Sequence, residues 1–326
     1  MMIRLTMAAA AAVLLFASTQ ESSVADARRR LSHSLEDGNP VIQLADGSPF
    51  AKLWVRGTRV PYVWPLVGPS GDPLTRAFPM EKGGEHEATD HPHHQSFWFT
   101  HGSVNGHDFW HDPNCRITPI GEPIVTMTEG RFDIEVRLNL AWEVSGDDAV
   151  LHESRAYRFA SRGGQRLVEC ESQLVAKEDV VFGDTKEGSF ALRLRPELRL
   201  KGEVAAGTIL NSAGQTDGDC WGQRAAWVSY EAPLGDHRVG VTVMDHSANL
   251  RHPTWWHARD YGLVAANPFG IHDFEKKEPG TGDFQLEKGK QLTLKYLVVL
   301  SDGEEKDRRT LTPKELAEIW NGWLEE

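Results

Sequence analysis

Histidines concentrate in two stretches of this chain of 326 residues, and this clustering is its strongest chemical signal. Seven of the fourteen histidines lie within residues 86–111, and three more lie within 246–257. A histidine can bind a transition metal, transfer a proton near neutral pH, or hydrogen-bond a polar ligand through its ring nitrogens. We therefore expect segments 90–110 and 245–270 to form one functional pocket.

Proton transfer needs a histidine and a carboxylate within reach of each other, and the sequence offers both. The candidate proton donors are His93, His94 and His101 in the first segment. The candidate carboxylates are Glu187, at the start of a predicted strand, and Asp260, in the second segment. This combination predicts cleavage of a glycoside or epimerisation at the anomeric centre of a sugar.

A sugar site needs flat aromatic faces for the pyranose C–H groups and polar side chains for the hydroxyls. The chain has eleven tryptophans, a high number for its length. Side chains of both kinds occur in and between the two histidine-rich segments. The predicted substrate-binding residues are Trp98, Asn105, Asp108, Arg193, Trp221, Asn249, Arg251, His252, Trp256, Arg259 and Asn267.

A metal site is the second interpretation of the first segment. His91, His93 and His101 share strand parity and would converge on a divalent metal if this stretch is extended. The function would then be that of a metal-dependent oxidoreductase, whereas the acid–base interpretation requires no cofactor. A third interpretation is a non-catalytic glycan-binding protein, because one sandwich fold hosts many chemistries.

Short alternating segments predict an all-β scaffold, an antiparallel β-sandwich. The clearest is 131–142, where apolar residues occupy every second position. Turn residues separate it from similar segments, and no spacing typical of a long crossover helix occurs between them. The further predicted strands are 150–159, 165–175, 190–200, 225–231, 238–244 and 291–300.

One helix is predicted at the C-terminus, over residues 313–325. Thr312 is a good N-cap, Pro313 suits the first helical position, and Glu315 completes a capping box. Apolar residues including Trp320 and Trp323 then share one face. We expect this face to pack on the sandwich, within a single domain that spans residues 28–326.

The N-terminus has the pattern of a signal peptide. A short basic head precedes the apolar run 5–17, and the small residues Ala25 and Ala27 fit a cleavage site. Residues 1–27 are therefore predicted to be removed from a periplasmic or secreted protein. No later segment is apolar enough to span a membrane.

The net charge of −12 disfavours nucleic acid as a partner, because phosphates would be repelled. A small molecule or an oligosaccharide is the expected substrate. Cys115, Cys170 and Cys220 are an odd number for an exported protein, and the sequence leaves open whether two of them pair or all are buried thiols.

Three motifs in this sequence resemble those of exported bacterial proteins that carry the family label PmoA. They are Asp90-His91-Pro92-His93-His94-x-x-x-Trp98-Phe99-x-His101-Gly102-x-Val104-Asn105-Gly106-x-Asp108-Phe109-Trp110, Asn249-x-Arg251-His252-Pro253-x-x-Trp256-His257-x-Arg259-Asp260-Tyr261-Gly262, and the stretch from Gly214 to Trp227. The resemblance covers nearly the whole chain after the signal peptide. It implies a galactose-mutarotase-like sandwich of the kind often found beside sugar-processing proteins. The label itself names a methane oxygenase subunit, which corresponds to the oxidoreductase alternative.

Overall fold

The computed structural model describes residues 31–304 and 308–325, so the predicted signal peptide, 1–27, lies outside the described residues. Most of the described chain forms antiparallel strands. These are β1 Leu31–Glu36, β2 Asn39–Leu44, β3 Pro49–Trp54, β4 Tyr62–Leu66, β5 Phe97–His101, β6 Cys115–Pro119, β7 Ile124–Met127, β8 Ile134–Val144, β9 Leu151–Arg162, β10 Gln165–Ala176, β11 Val180–Phe182, β12 Gly188–Arg193, β13 Thr208–Asn211, β14 Trp227–Leu234, β15 His237–Asp245, β16 Trp255–Trp256, β17 Leu263–Asn267, β18 Phe284–Leu286 and β19 Gln291–Gly303. The helices are α1 Ile271–Glu275 and α2 Pro313–Leu324.

Two large sheets pack face to face. The first sheet has the order β1-β2-β3-β4-β5-β12-β17-β16. The second has the order β13-β14-β15-β19-β10-β9-β8-β6, with β7 also paired to β8. Both sheets contribute to one continuous apolar core, and the predicted all-β antiparallel sandwich is confirmed. The division into residues 1–27 and a single domain from 28 to 326 stays a prediction.

Side-chain alternation decides which face of the first sheet meets this core. In β5, Phe97 and Phe99 belong to the core between the sheets, whereas Trp98 belongs to a separate aromatic cluster on the opposite face. The same alternation in β17 directs Val264 inward and Ala265 outward. We call the face that carries Trp98 and Ala265 the outer face of the first sheet.

Two findings differ from the predicted local structure. No strand is predicted within the histidine-rich segments, but the first contains β5 and the second contains β16 and β17. The predicted strand 190–200 ends at Arg193, and a single 3-10 turn, Pro196–Leu198, follows it. Pro196 lacks the N–H that a continuing strand would donate to its neighbour.

Helix α2 packs on the far side of the second sheet. Thr312 and Glu315 form the predicted capping box. Trp323 is buried in an apolar cluster with residues of the second sheet, and its indole N–H donates to Glu169. The predicted C-terminal helix is therefore confirmed, and its tryptophans serve packing.

The three cysteines are free, buried thiols. Burial raises the pKa of Cys115 to about 11 and that of Cys220 to about 12. None of the helices in residues 31–304 and 308–325 is long and apolar enough to cross a membrane.

Candidate functional site

The strand register places one row of side chains across the outer face of the first sheet. Trp98 pairs with Ala191, and Ala191 pairs with Ala265. The backbone of His257 exchanges two hydrogen bonds with that of Ala265. Residues opposite one another in antiparallel strands share a face, so His257 lies in the same row as Trp98.

The two histidine-rich segments meet above this face at Tyr261. The ring of His91 is stacked on the Tyr261 ring, with centroids 5.5 Å apart. The guanidinium carbons of Arg193 and Arg259 lie 4.5 and 5.3 Å from the centroid of the same ring. Cations are attracted to the face of an aromatic ring, so Tyr261 holds both arginines in place.

A single carboxylate organises the first segment. Asp90 Oδ1 accepts from Arg193 Nη2 and from Arg76 Nη1, both at 2.8 Å, and Asp90 Oδ2 accepts from His91 Nδ1 at 2.6 Å. Burial opposes ionisation of Asp90, but the charges of Arg193, His91 and Arg76 outweigh it and hold its pKa at about 2.

His94 is buried in this network as a neutral ring. Its Nδ1 lies 3.1 Å from Arg193 Nη1, which can only donate, so the proton of His94 is on Nε2. This Nε2 is buried and has no hydrogen-bond partner, and the same holds for Nε2 of the adjacent His93. Burial lowers the pKa of His93 to about 3, with a further contribution from His111, and lowers the pKa of His94 well below its ordinary value.

The carboxylate of Glu187 lies near the His257 ring and acts on its ionisation. His257 Nδ1 donates to the carbonyl of Lys186 at 3.1 Å, which leaves Nε2 with a free lone pair. Burial lowers the pKa of His257 to about 4, although the neighbouring charge of Glu187 acts in the opposite direction. Near neutral pH, His257 is therefore a neutral ring that can accept a proton.

Two glycines fix the backbone beside Glu187. The Gly102 N–H donates to the carbonyl of Glu187 at 2.7 Å, and a Cβ on Gly102 would lie 2.9 Å from Cβ of Glu187. A Cβ on Gly188 would lie 2.4 Å from Nδ1 of His101. No side chain fits at either position, so β5 and the start of β12 approach closely only because both residues are glycines.

A cavity of about 270 Å³ adjoins His257, because Ala258 and Trp221, which neighbour that residue, belong to its lining. The indole of Trp221 borders it, with its ring centroid 6.4 Å from that of His257. The polar residues of the lining are Lys201, Arg259 and Asp260. A tryptophan face with a few polar groups is suited to one sugar ring, and the volume is close to the lower limit of small-molecule pockets.

Larger cavities also exist. One of about 350 Å³ lies between α2 and the second sheet, and its lining contains no acidic or basic side chain. One of about 290 Å³ is bordered by Glu81, Glu85, Glu87 and Glu197, with Trp64 and Arg195 also in its lining. We place the candidate site at the cavity of about 270 Å³, because its Trp221 is a direct neighbour of the neutral His257 ring.

Two further predicted residues border this site in defined ways. Asp260 accepts from Lys201 Nζ at 2.8 Å, an ion pair at the rim of the cavity. Trp98, within the first segment, is buried, with its ring 5.2 Å from that of His94 and 5.1 Å from that of Trp110. The structure thus brings His93, His94, Trp98, Arg193, Glu187, Trp221, Arg259 and Asp260 to one side of the first sheet.

His101 lies on the other face of β5, inside the sandwich. Its Nε2 donates to the carbonyl of Gly183 at 2.8 Å, and its Nδ1 is 3.4 Å from the Ser189 hydroxyl. Its ring packs on Phe182 and Phe269. Both nitrogens thus have interior partners, and this placement does not support His101 as a proton donor.

Seven other predicted residues hold loops or the core instead of lining the cavity. Trp256 lies in the core and donates to the carbonyl of Ala225. His252 pairs with Asp245 and is stacked on Trp320 of α2, far from the outer face. The other five, whose polar atoms bond to backbone groups of loops or strands, are Asn105, Asp108, Asn249, Arg251 and Asn267.

The predicted metal ligands His91, His93 and His101 do not form a site. His91 and His93 pack against each other above the outer face, whereas His101 is inside the sandwich. Across residues 31–304 and 308–325, no group of three or more His, Cys, Asp or Glu side chains is arranged to hold a metal ion.

Three arginines anchor the irregular parts of the site. Arg76 donates to the carbonyls of Ala88, Asp90 and His91. Arg59 donates to four carbonyls of residues 109–115, and Arg251 to three of residues 268–283. These bonds satisfy backbone groups that no strand neighbour reaches.

Sequence reasoning missed His257 and Tyr261 as site residues. The signal for His257 was the alternation in 255–259, where Trp256 and Ala258 are core residues and the residues between them face outward. The position of Tyr261 depends on the turn after Arg259, which period-2 alternation does not describe.

Comparisons with known proteins give one family and several distant structural likenesses. The chain is similar to the GH36 alpha-galactosidase AgaA of Geobacillus stearothermophilus, with 10% identity, a TM-score of 0.38, and coverage of 84% of this chain and 41% of that one. The chain thus spans about two fifths of the length of that galactosidase.

Two shorter proteins match over most of their own length. A galactose mutarotase-like protein of Lactobacillus casei matches with 10% identity, a TM-score of 0.32, and coverage of 83% of this chain and 99% of that one. The Slr1438 protein of Synechocystis matches with 10% identity, a TM-score of 0.30, and coverage of 85% and 97%. We found no curated protein that matches the sequence.

The sequence itself matches a family over residues 37–317, and the description of that family is "Family of unknown function (DUF6807)". The resemblance to proteins labelled PmoA stays a prediction. Because the match extends over most of the 326 residues, this chain belongs to the DUF6807 family.

Proposed function

We propose that this protein is a carbohydrate-active enzyme that acts at the anomeric centre of a sugar by acid–base chemistry. The observation that carries the proposal is the neutral His257 ring, which lies within reach of the Glu187 charge and packs against Trp221, a residue that borders a cavity. His257 Nε2 is the proton acceptor, and the Glu187 carboxylate is its partner across the reacting carbon. The Trp221 face receives the sugar ring, and Arg259 and Asp260 contact its polar groups.

The hydrogen-bonding state of His257 supports this assignment. Because its Nδ1 proton is donated to a backbone carbonyl, its second nitrogen is the one that remains available to a substrate hydroxyl. A pKa of about 4 means that the basic form is present from about pH 5 upwards. Export to the periplasm or the medium is part of the proposal, and N-terminal sequencing of the protein from cells, with a start expected near Arg28, tests it.

The test uses the full chain and a panel of p-nitrophenyl glycosides and free hexoses. Glycoside cleavage is measured by release of p-nitrophenol, and exchange at the anomeric centre by proton NMR. We expect Glu187→Gln and His257→Asn each to lower turnover by at least about 100-fold, the usual contribution of a general acid or base. The matched controls Glu122→Gln and His33→Asn change exposed residues far from the cavity and leave turnover unchanged.

Full activity in either site variant, with its circular dichroism spectrum unchanged, contradicts the assignment of that residue. Sugar binding without any turnover of the panel contradicts the enzymatic proposal and favours the alternative of a glycan-binding protein.

A further inference from the structure

The charges of the residues that line the cavity do not cancel. Lys201 pairs with Asp260 at 2.8 Å, so this pair is neutral. Arg259 lines the same cavity, and among the described residues its side chain forms no ion pair and donates no hydrogen bond. The lining therefore carries one positive charge without a paired counter-ion.

This excess is unusual in so acidic a chain, whose net charge is −12. The nearest arginines show the same imbalance, because Arg76 and Arg193 share the single carboxylate of Asp90. The lining of the cavity is thus cationic on a molecule whose net charge is negative. A cationic pocket of this kind raises the local concentration of an anionic ligand.

The geometry of Arg259 specifies the kind of anion. Its guanidinium carbon lies 5.3 Å from the centroid of the Tyr261 ring, and its Nε is buried without a hydrogen-bond partner. The Trp221 indole N–H beside the same cavity is also buried and unpartnered. A planar fork of N–H donors matches a carboxylate, which accepts two parallel hydrogen bonds, better than it matches a sugar hydroxyl.

We infer that the substrate of this site is an acidic sugar, a uronate, whose carboxylate is bound by Arg259 while its ring lies against Trp221. The inference rests on the proposed function and names its substrate class. Glu187 and His257 then face the anomeric carbon, on the side of the ring away from the carboxylate.

Titration calorimetry on the full chain at low salt tests the inference with D-galacturonate and D-glucuronate. Their methyl esters and the neutral hexoses D-galactose and D-glucose are the comparison ligands. We expect the uronates to bind about tenfold more tightly than their esters, the contribution of a charge-assisted hydrogen bond. Added salt reduces this preference, because it screens the charge of Arg259.

Variants test whether Arg259 causes the preference for uronates over their esters. Arg259→Gln is expected to abolish it, whereas Arg259→Lys retains part of it because the charge remains without the planar fork. Arg162→Gln is the control, because it removes the same charge from an exposed residue of the second sheet. Circular dichroism confirms that each variant is folded.

Equal affinity for uronates and their esters, or a preference that survives in Arg259→Gln, overturns the inference. If neutral sugars are nevertheless turned over in a reaction that depends on Glu187, the proposed function stands and only the inference about uronates is wrong. The absence of binding by any of these sugars contradicts both.

Discussion

Asp90 shows how much one side chain can determine in this site. Its carboxylate is the shared counter-ion of Arg76 and Arg193, whose side chains are only 2% and 1% exposed. Arg193 in turn fixes the tautomer of His94. A change at Asp90 therefore acts on buried charges and on the proton position of a histidine at the same time.

We expect Asp90→Asn to lower the free energy of unfolding by about 2 kcal/mol. Leaving a fully buried charge unpaired costs about 3 to 5 kcal/mol, but Asp90 is 39% exposed and water replaces part of the loss. Urea denaturation measures the change, with Asp147→Asn in an exposed turn as control. A loss no larger than that of the control would show that Asp90 does not stabilise the two arginines.

The pH dependence of Asp90 has a defined sign. Its pKa in the fold is about 2, below the ordinary value of 3.8, so its stabilisation is complete above about pH 4 and is lost as the pH falls toward 2. Asp90→Asn is expected to remove this part of the acid sensitivity.

Among single residues, the sequence indicated histidines and tryptophans of the candidate site, but several polar residues predicted to bind a substrate hold loops in the structure. Arg251 and Asn249 bond to backbone carbonyls, whereas Arg259 faces the cavity. The three residues lie in one segment with similar neighbours. Only the path of the surrounding backbone distinguishes an arginine that anchors a loop from one that remains free, and the sequence pattern does not contain that path.

At the element scale, the long strands and the terminal helix followed from simple periodicity. The predicted strand 165–175 is observed as Gln165–Ala176, and the predicted 291–300 as Gln291–Gly303. The side chains of such strands point alternately to a buried and to an exposed face of the sheet, so apolar and polar residues alternate in the sequence. The two-residue strand β16 is too short to show a period, and its place beside β17 is the reason that His257 reaches the site.

The capping box at the start of α2 is expected to stabilise the whole helix. We expect Thr312→Ala to lower the free energy of unfolding by about 1 kcal/mol, because the N–H of Glu315 loses its acceptor. Thr312→Ser retains the hydroxyl and is expected to unfold at nearly the same urea concentration as the unmodified protein. Equal stability of the alanine and serine variants would contradict a contribution from the cap.

For the whole molecule, neutral buried histidines predict how stability changes with pH. Burial lowers the pKa of His101 and His257 to about 4 and that of His93 to about 3, from the ordinary value of 6.5. Between about pH 6.5 and 4 the unfolded chain binds these protons and the folded chain does not. Stability is therefore full above pH 6.5 and decreases as the pH falls through this window.

Urea denaturation at pH 7.5, 6 and 5 checks this expectation. Each histidine is expected to lower the free energy of unfolding by up to about 1.4 kcal/mol per pH unit. The variant His101→Gln is expected to have a shallower dependence. A free energy of unfolding that is constant from pH 7.5 to 5 would contradict the assignment of these rings as neutral.

The carbonyl bonds of Arg59, Arg76 and Arg251 have a consequence for ligand affinity. Loops fastened by several bonds to one guanidinium have already lost most of their conformational freedom before a ligand arrives. Association then costs little ordering entropy, so a few well-placed contacts suffice for useful affinity. The surface around the candidate site is in this sense preorganised, even though much of it belongs to neither a helix nor a strand.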